Sequence, residues 1–240
     1  MMTCTSHADY ISRLHHSCLA HNVDAETQSA LLKLAEQQIA MSADELYQRQ
    51  ADLFGPNGIF ARFSAQVMKE GRQAAVFDDL MTVKSRQRQR QVEQAVNFAL
   101  CRHHRRVITP NPFSNRSRES LCRIIYDETG AFTLVERYGA YEAIRVLDSD
   151  FFIKLIATTR GVVERRIVFC GLLEHFDRLL PIEQSIYPDN YREAQEGHLQ
   201  REEALYGKLQ LGRTLNGLLA EISPALLLQK IQGMTAFKAE

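Results

Sequence analysis

At 240 residues, with 45% hydrophobic and 24% charged side chains, the chain is long enough to bury a sizeable core and lacks the composition of a disordered protein. Its 29 Lys and Arg balance 29 Asp and Glu, which is well short of the basic character of a dedicated nucleic-acid domain. Twelve Gly and six Pro are few and favour long helices over a turn-rich β architecture, and the absence of any apolar run near eighteen residues excludes a spanning helix.

The five cysteines, Cys4, Cys18, Cys101, Cys122 and Cys170, are odd in number and scattered, with no CxxC. That usage points to a reducing compartment rather than a disulfide framework. The first twenty residues lack a charged segment followed by an apolar core, so no signal peptide is expected and a cytoplasmic location is.

From His7 to His21, Tyr10, Ile11, Leu14, Cys18 and Leu19 recur at helical spacing, with Asn22 as a stop. Asp24 is a candidate N-cap for a second helix carrying Leu31, Leu34, Ala35 and Ile39. Ser42 with Glu45 forms a capping box that predicts a third helix to about Phe54, where Gly55-Pro56-Asn57-Gly58 breaks it. Ile59 to Met81 reads as one further helix, weakened by Gly71.

The segment from Val83 to Arg118 stands apart. It carries Lys84, Arg86, Arg88, Arg90, Arg102, Arg105, Arg106, Arg116 and Arg118 against one acid, Glu93. The remainder of the chain is therefore acidic by the same amount, an asymmetry that calls for a partner or an intramolecular mate. Lys84 to Gln91 contains no apolar residue, so a helix there has no face to bury until Val92, Ala95, Val96, Ala99 and Leu100 restore a stripe. Thr109 to Ser117, with Pro110 and Pro112, is the best internal boundary. It divides an N-terminal region, 1–108, from a C-terminal region, 118–240, unless the whole is one domain.

Leu121 to Val135 fits two structures equally. One is a β-hairpin around Asp127-Glu128-Thr129-Gly130; the other is helix, loop, helix, with Thr133 and Glu136 as a capping box. Asp148-Ser149-Asp150 then offers an N-cap for a helix from Phe151 to Leu180, ended by Pro181. Asp189 begins an acidic helix. The tail holds Leu215, Leu218, Leu219, Ile222, Leu226, Leu227 and Ile231, more than one amphipathic stripe needs, and offers a homodimer or partner contact.

No defensible catalytic motif emerges. There is no GxSxG, no GxxxxGK[ST] and no GxGxxG. His15 with Cys18 and Cys101 with His104 have the i,i+3 spacing of zinc-ligand pairs, but cysteines near apolar stripes behave as small hydrophobes. Asp127 to Gly130 lacks the later oxygen ligands of a calcium loop. Neither a metal nor another cofactor is expected. His103-His104 among arginines suits a pH-sensitive contact or a cationic helix end. Asn111-Pro112-Phe113 either presents Phe113 or tucks it under the loop.

The expectation is a mainly α, multi-helix bundle of about eight helices, with a hairpin at 121–135 as the open point. The leading function is non-enzymatic: an interaction or regulatory protein engaging an acidic macromolecular surface through the nine basic residues of Lys84–Arg118. A DNA- or RNA-binding regulator using the same residues comes second. An all-α enzyme with a site assembled from distant residues comes third.

Overall fold

A computed structural model of the protein describes residues 7–102, 109–159 and 164–236. Among the described residues are twelve α-helices, two 3-10 segments and no strand, and no helix is long and apolar enough to cross a membrane. The chain divides into two compact units: Ala25–Leu147, and Met1–Asp24 together with Asp148–Glu240.

Helix α1 (His7–Ala20) ends at Asn22, whose φ of 53° reverses the chain as the sequence stop required. Helix α2 (Ala25–Ile39) begins one residue after Asp24. Helix α3 (Ala43–Phe54) is opened by the expected capping box: Ser42 Oγ accepts from Glu45 N, and Glu45 Oε2 accepts from Ser42 N. Helix α4 (Ile59–Glu70) is shorter than the single Ile59–Met81 helix expected. Gly71 does more than weaken that helix. Its φ of 60° takes the chain out of it, and 3-10 segments at Gly71–Gln73 and Ala75–Thr82 follow.

Helix α5 (Arg86–Arg102) carries the basic run, and α6 (Arg118–Ile125) follows the Pro-containing loop. The hairpin at 121–135 does not form; the helix, loop, helix alternative does. Ser117 caps α6 by accepting from Ser120 N, which commits Leu121–Ile125 to helix. The side chain of Asp127 then organises the turn. Its Oδ1 accepts from Thr129 N and Oγ1, and its Oδ2 accepts from Phe132 N at 2.8 Å. Backbone donors that a second strand would need are thus taken by one carboxylate.

Helix α7 (Leu134–Ala157) starts at the Thr133–Glu136 capping box, with Glu136 Oε2 accepting from Thr133 N and Thr133 Oγ1. It runs straight through Asp148-Ser149-Asp150, so these residues are not the N-cap expected of them. A capping side chain acts only where the backbone leaves the helix, and α7 already supplies that stretch with backbone bonds. The helix expected over Phe151–Leu180 is correspondingly divided between the end of α7 and α8 (Arg165–Asp177). Pro181 occupies the first turn of α9 (Pro181–Gln184), where its missing N–H costs nothing. Helices α10 (Tyr191–Tyr206), α11 (Leu215–Glu221) and α12 (Pro224–Ala236) complete the chain.

The Ala25–Leu147 unit is built on an aromatic cluster. Phe60 stacks on Tyr141 with centroids 4.7 Å apart, Phe63 meets Tyr138 at 4.6 Å, and Phe54 and Phe77 close the sides. In the other unit Phe151, Leu155, Ile167, Leu215, Leu219, Leu227 and Ile231 form the core. Helix α10 joins that unit without a fully buried residue. Arg192 binds Asp177 through two N–H groups, Arg165 reaches Glu202, and Arg166 donates to the carbonyls of Tyr206 and Gly207 at its end.

In the loop before α6, Phe113 lies under the chain, fully buried, against the bare backbone of Gly139. Asn111 holds it there by donating to Gly139 O while accepting from Phe113 N. A Cβ at Gly139 would stand 2.8 Å from the Phe113 ring, which has nowhere to retreat. The Gly139→Ala variant gains up to about 1 kcal/mol of helix propensity but loses about 1–3 to overpacking. Calorimetry is expected to show a lower Tm, by roughly 2–4 °C per kcal/mol lost; an unchanged Tm would mean that the loop is not pinned there.

Candidate functional site

The basic segment is sorted by what each side chain meets. Arg88 turns inward: its Nη2 donates to Glu136 Oε2 at 2.8 Å, and its guanidinium lies 5.4 Å from the Phe132 ring centre. Arg102, itself exposed, meets the buried Glu142 at 2.6 Å. Arg118 is 3% exposed within α6, where it donates to Cys122 Sγ. Arg116 covers the Phe113 ring and reaches Ser120 Oγ. Arg105 and Arg106, with His103 and His104, lie outside the described residues.

Lys84, Arg86 and Arg90 are different. All three are exposed, and none makes an ion pair among the described residues. The reason is helical geometry. At about 100° per residue, Val92, Ala95, Val96 and Ala99 define the buried side of α5, and Arg88 falls on it. Arg86, Arg90, Gln94 and Asn97, spaced by four, four and three, fall on the opposite side, and all are exposed. The one acid of the segment, Glu93, is held at 2.8 Å by Arg72.

Lodging these cations here costs stability. Arg86 and Arg90 form a like-charged i,i+4 pair, worth about 0.2–0.5 kcal/mol of repulsion. The first turn of α5 contains no acid, so its arginines sit at the positive end of the helix dipole, unfavourable by about 0.3–1 kcal/mol each when exposed. Arg88 recovers its share from Glu136; Arg86 and Arg90 have no such mate among the described residues.

A second region with convergent polar groups lies in the unit containing α1 and α8. A cavity of about 320 Å³ beside these helices includes Arg13, His21, Glu174, Asp177 and Arg192 in its walls. Its charges satisfy one another. Asp177 accepts from Arg192 and lies 3.6 Å from Arg13. Glu174 accepts from Leu215 N at 2.6 Å, from Asn216 N at 2.9 Å and lies 3.3 Å from His21 Nε2. Burial pushes the Glu174 carboxyl up, but His21 and the two amides outweigh it and hold the group below its ordinary range. This is an anchor for the chain entering α11 rather than a reactive acid.

Other chemically suggestive groups are also committed. Burial raises the Asp79 carboxyl, against the pull of Leu134 N and with Glu136 adding to the rise. Yet Asp79 Oδ2 accepts from Leu134 N at 2.7 Å and Glu136 caps the same helix, so the two carboxylates are occupied in starting α7. Burial, with Glu203 and Glu174, pushes the Cys170 thiol up to about 11, so it carries its proton at neutral pH and is a poor nucleophile. Cys18, the partner expected of His15, is buried in α1, and His104, the partner expected of Cys101, lies outside the described residues. Among the described residues no three His, Cys, Asp or Glu side chains gather as a metal site. The apolar tail is largely used within its own unit: Leu215, Leu219, Leu227 and Ile231 are buried, Leu218 and Ile222 pack against them, and Leu226 is 42% exposed.

Sequence reasoning found the basic run but missed its division into inward and outward arginines. It also missed Gln94 and Asn97, for which a helical projection beyond Val92 was the available signal. Set against protein-family models, curated proteins and solved structures, the chain shows no match in any of the three comparisons.

Two outcomes follow from this sorting. In urea unfolding, Arg88→Ala is expected to cost about 1–3 kcal/mol because it leaves the buried Glu136 without its cation, whereas Arg86→Ala and Arg90→Ala leave stability unchanged or raise it by up to about 1 kcal/mol; equal losses at all three would contradict the assignment. For Glu174, the folded-state carboxyl titrates below its unfolded value of about 4.3, so its stabilising effect is present above that value and lost as pH falls through the folded one. The stability gap between wild type and Glu174→Gln is therefore expected to shrink as pH falls from about 5 to 3, and a gap that widens would refute the anchor.

Proposed function

We propose that this protein is a non-enzymatic interaction protein that engages an acidic macromolecule through the outer face of α5, with Lys84, Arg86 and Arg90 as its cations. The observation that carries the reading is the contrast among the basic residues of α5 and of the residues just ahead of it. Arg88 and Arg102 have carboxylates at 2.8 and 2.6 Å, while Lys84, Arg86 and Arg90 are exposed with no ion pair among the described residues. An anion laid along this face relieves the like-charge and dipole penalties described above. The absence of apolar groups on that face makes the attraction electrostatic, hence salt-dependent.

The enzyme reading gains no support from these groups, since the Glu174 and Asp79 carboxylates are engaged by backbone amides at helix starts and the Cys170 thiol keeps its proton at neutral pH. The test is binding of the full chain to a labelled polyglutamate and to labelled heparin, followed by fluorescence anisotropy at two salt concentrations. Binding to at least one is expected at low salt, weakening steeply at the higher, and falling at least roughly tenfold in the Arg86→Ala/Arg90→Ala variant. Lys33→Ala, an exposed cation on α2, is expected to bind as wild type. Loss that is equal in both variants, or no binding at all, overturns the proposal.

A further inference from the structure

Resting on the interaction reading above, we infer that the acidic partner of α5 is double-stranded DNA, with the outer face of the helix lying in the major groove.

Three features of the same helix point there. The first is projection. From Arg86 to Gln91 every residue is exposed or half-exposed, and burial begins only at Val92. The outer side of the first two turns is therefore free, while the inner side is fixed by Arg88 on Glu136 and, further on, by Val92, Ala95, Val96 and Ala99. An α-helix with its side chains measures about 10–12 Å across, close to the roughly 12 Å width of the B-form major groove. The deep, narrow major groove of an RNA duplex does not admit it.

The second is what the face lacks. Protein–protein interfaces have a core of apolar and aromatic groups inside a polar rim. The outward positions of α5, namely Arg86, Gln87, Arg90, Glu93, Gln94 and Asn97, are all exposed and include no apolar side chain, and their one acid, Glu93, is held by Arg72. A polar, cationic, hydrated surface is the character of a DNA interface and a poor one for an acidic protein.

The third is the kind of polar group present. An arginine fork fits guanine O6 and N7, and the amides of Gln and Asn fit adenine N6 and N7. A face meant only for charge would do as well with lysines. Here Arg86 and Arg90 share the face with Gln87, Gln94 and Asn97, while Lys84, just ahead of the helix, is placed to meet a phosphate. Gln89 is not part of this set, because its amide donates to Val83 O at 2.8 Å and closes the start of α5.

The experiment measures anisotropy of the full chain with a labelled mixed-sequence DNA duplex, the matching RNA duplex and labelled polyglutamate, each over a salt series. Expected are DNA binding tighter than RNA binding, DNA affinity lowered at least roughly tenfold in Arg86→Ala/Arg90→Ala, and a slope of log K against log salt that falls by about one in Lys84→Ala. Selection from a randomised duplex pool is expected to enrich a sequence with wild type. The Gln87→Ala/Gln94→Ala variant, exposed and neutral, is expected to lose that enrichment while keeping the salt slope. Circular dichroism confirms that the variants fold. Polyglutamate binding that depends on Arg86 and Arg90, without duplex binding, would overturn this inference and leave the interaction reading standing. Failure of DNA, RNA and polyglutamate alike would remove both. RNA bound as tightly as DNA, or enrichment unchanged in the glutamine variant, would remove groove entry.

Discussion

The carboxylate of Glu136 does three things at once. It accepts from the Thr133 backbone and hydroxyl to begin α7, and it takes the guanidinium of Arg88 to fix the rotation of α5. A buried carboxylate left without these donors would carry a desolvation penalty larger than any single surface contact can offset. The apolar stripe from Val92 onward agrees with this rotation, and the two constraints together decide which arginines face outward. The exposed cationic face is in that sense the remainder left after Glu136 and the core have taken what they need.

Local signals in the sequence were read well where a side chain settles its own neighbourhood. Ser42 with Glu45 and Thr133 with Glu136 each name a helix start within four residues, and both starts are found where the pattern puts them. Gly55 to Gly58 is a break because its residues permit little else. Failures came where a local signal was outvoted. Asp148-Ser149-Asp150 has the composition of a cap, but a helix already under way passes through it. Gly71 reads in the sequence as a cost within a helix, but its positive-φ backbone ends one.

The candidate site was legible as composition and not as geometry. The residues Arg-Gln-Arg-Gln-Arg-Gln look alike along the chain, and no apolar group among them gives a phase. The phase comes from Val92 onward and from Glu136, which is 48 residues from Arg88. Nothing in the run itself distinguishes Arg88 from Arg86 or Arg90. Similarly, Arg102 reads as one more cation until Glu142 is seen beside it. The nine basic residues are thus a heterogeneous group, of which several are structural members of the fold.

Helix α10 illustrates a different economy. Attached by Arg192, Arg165 and Arg166 and by ring contacts of Tyr191 with Phe176 and of His198 with Phe169, it contributes no fully buried side chain to its unit. The ion pairs among these contacts weaken as ions accumulate in solution, whereas the ring contacts and the apolar core beneath do not. Subglobal opening is drawn from segments with little buried apolar surface. The acidic helix is accordingly the part of the chain that concentrated electrolyte would peel away first, with the rest of the fold still in place.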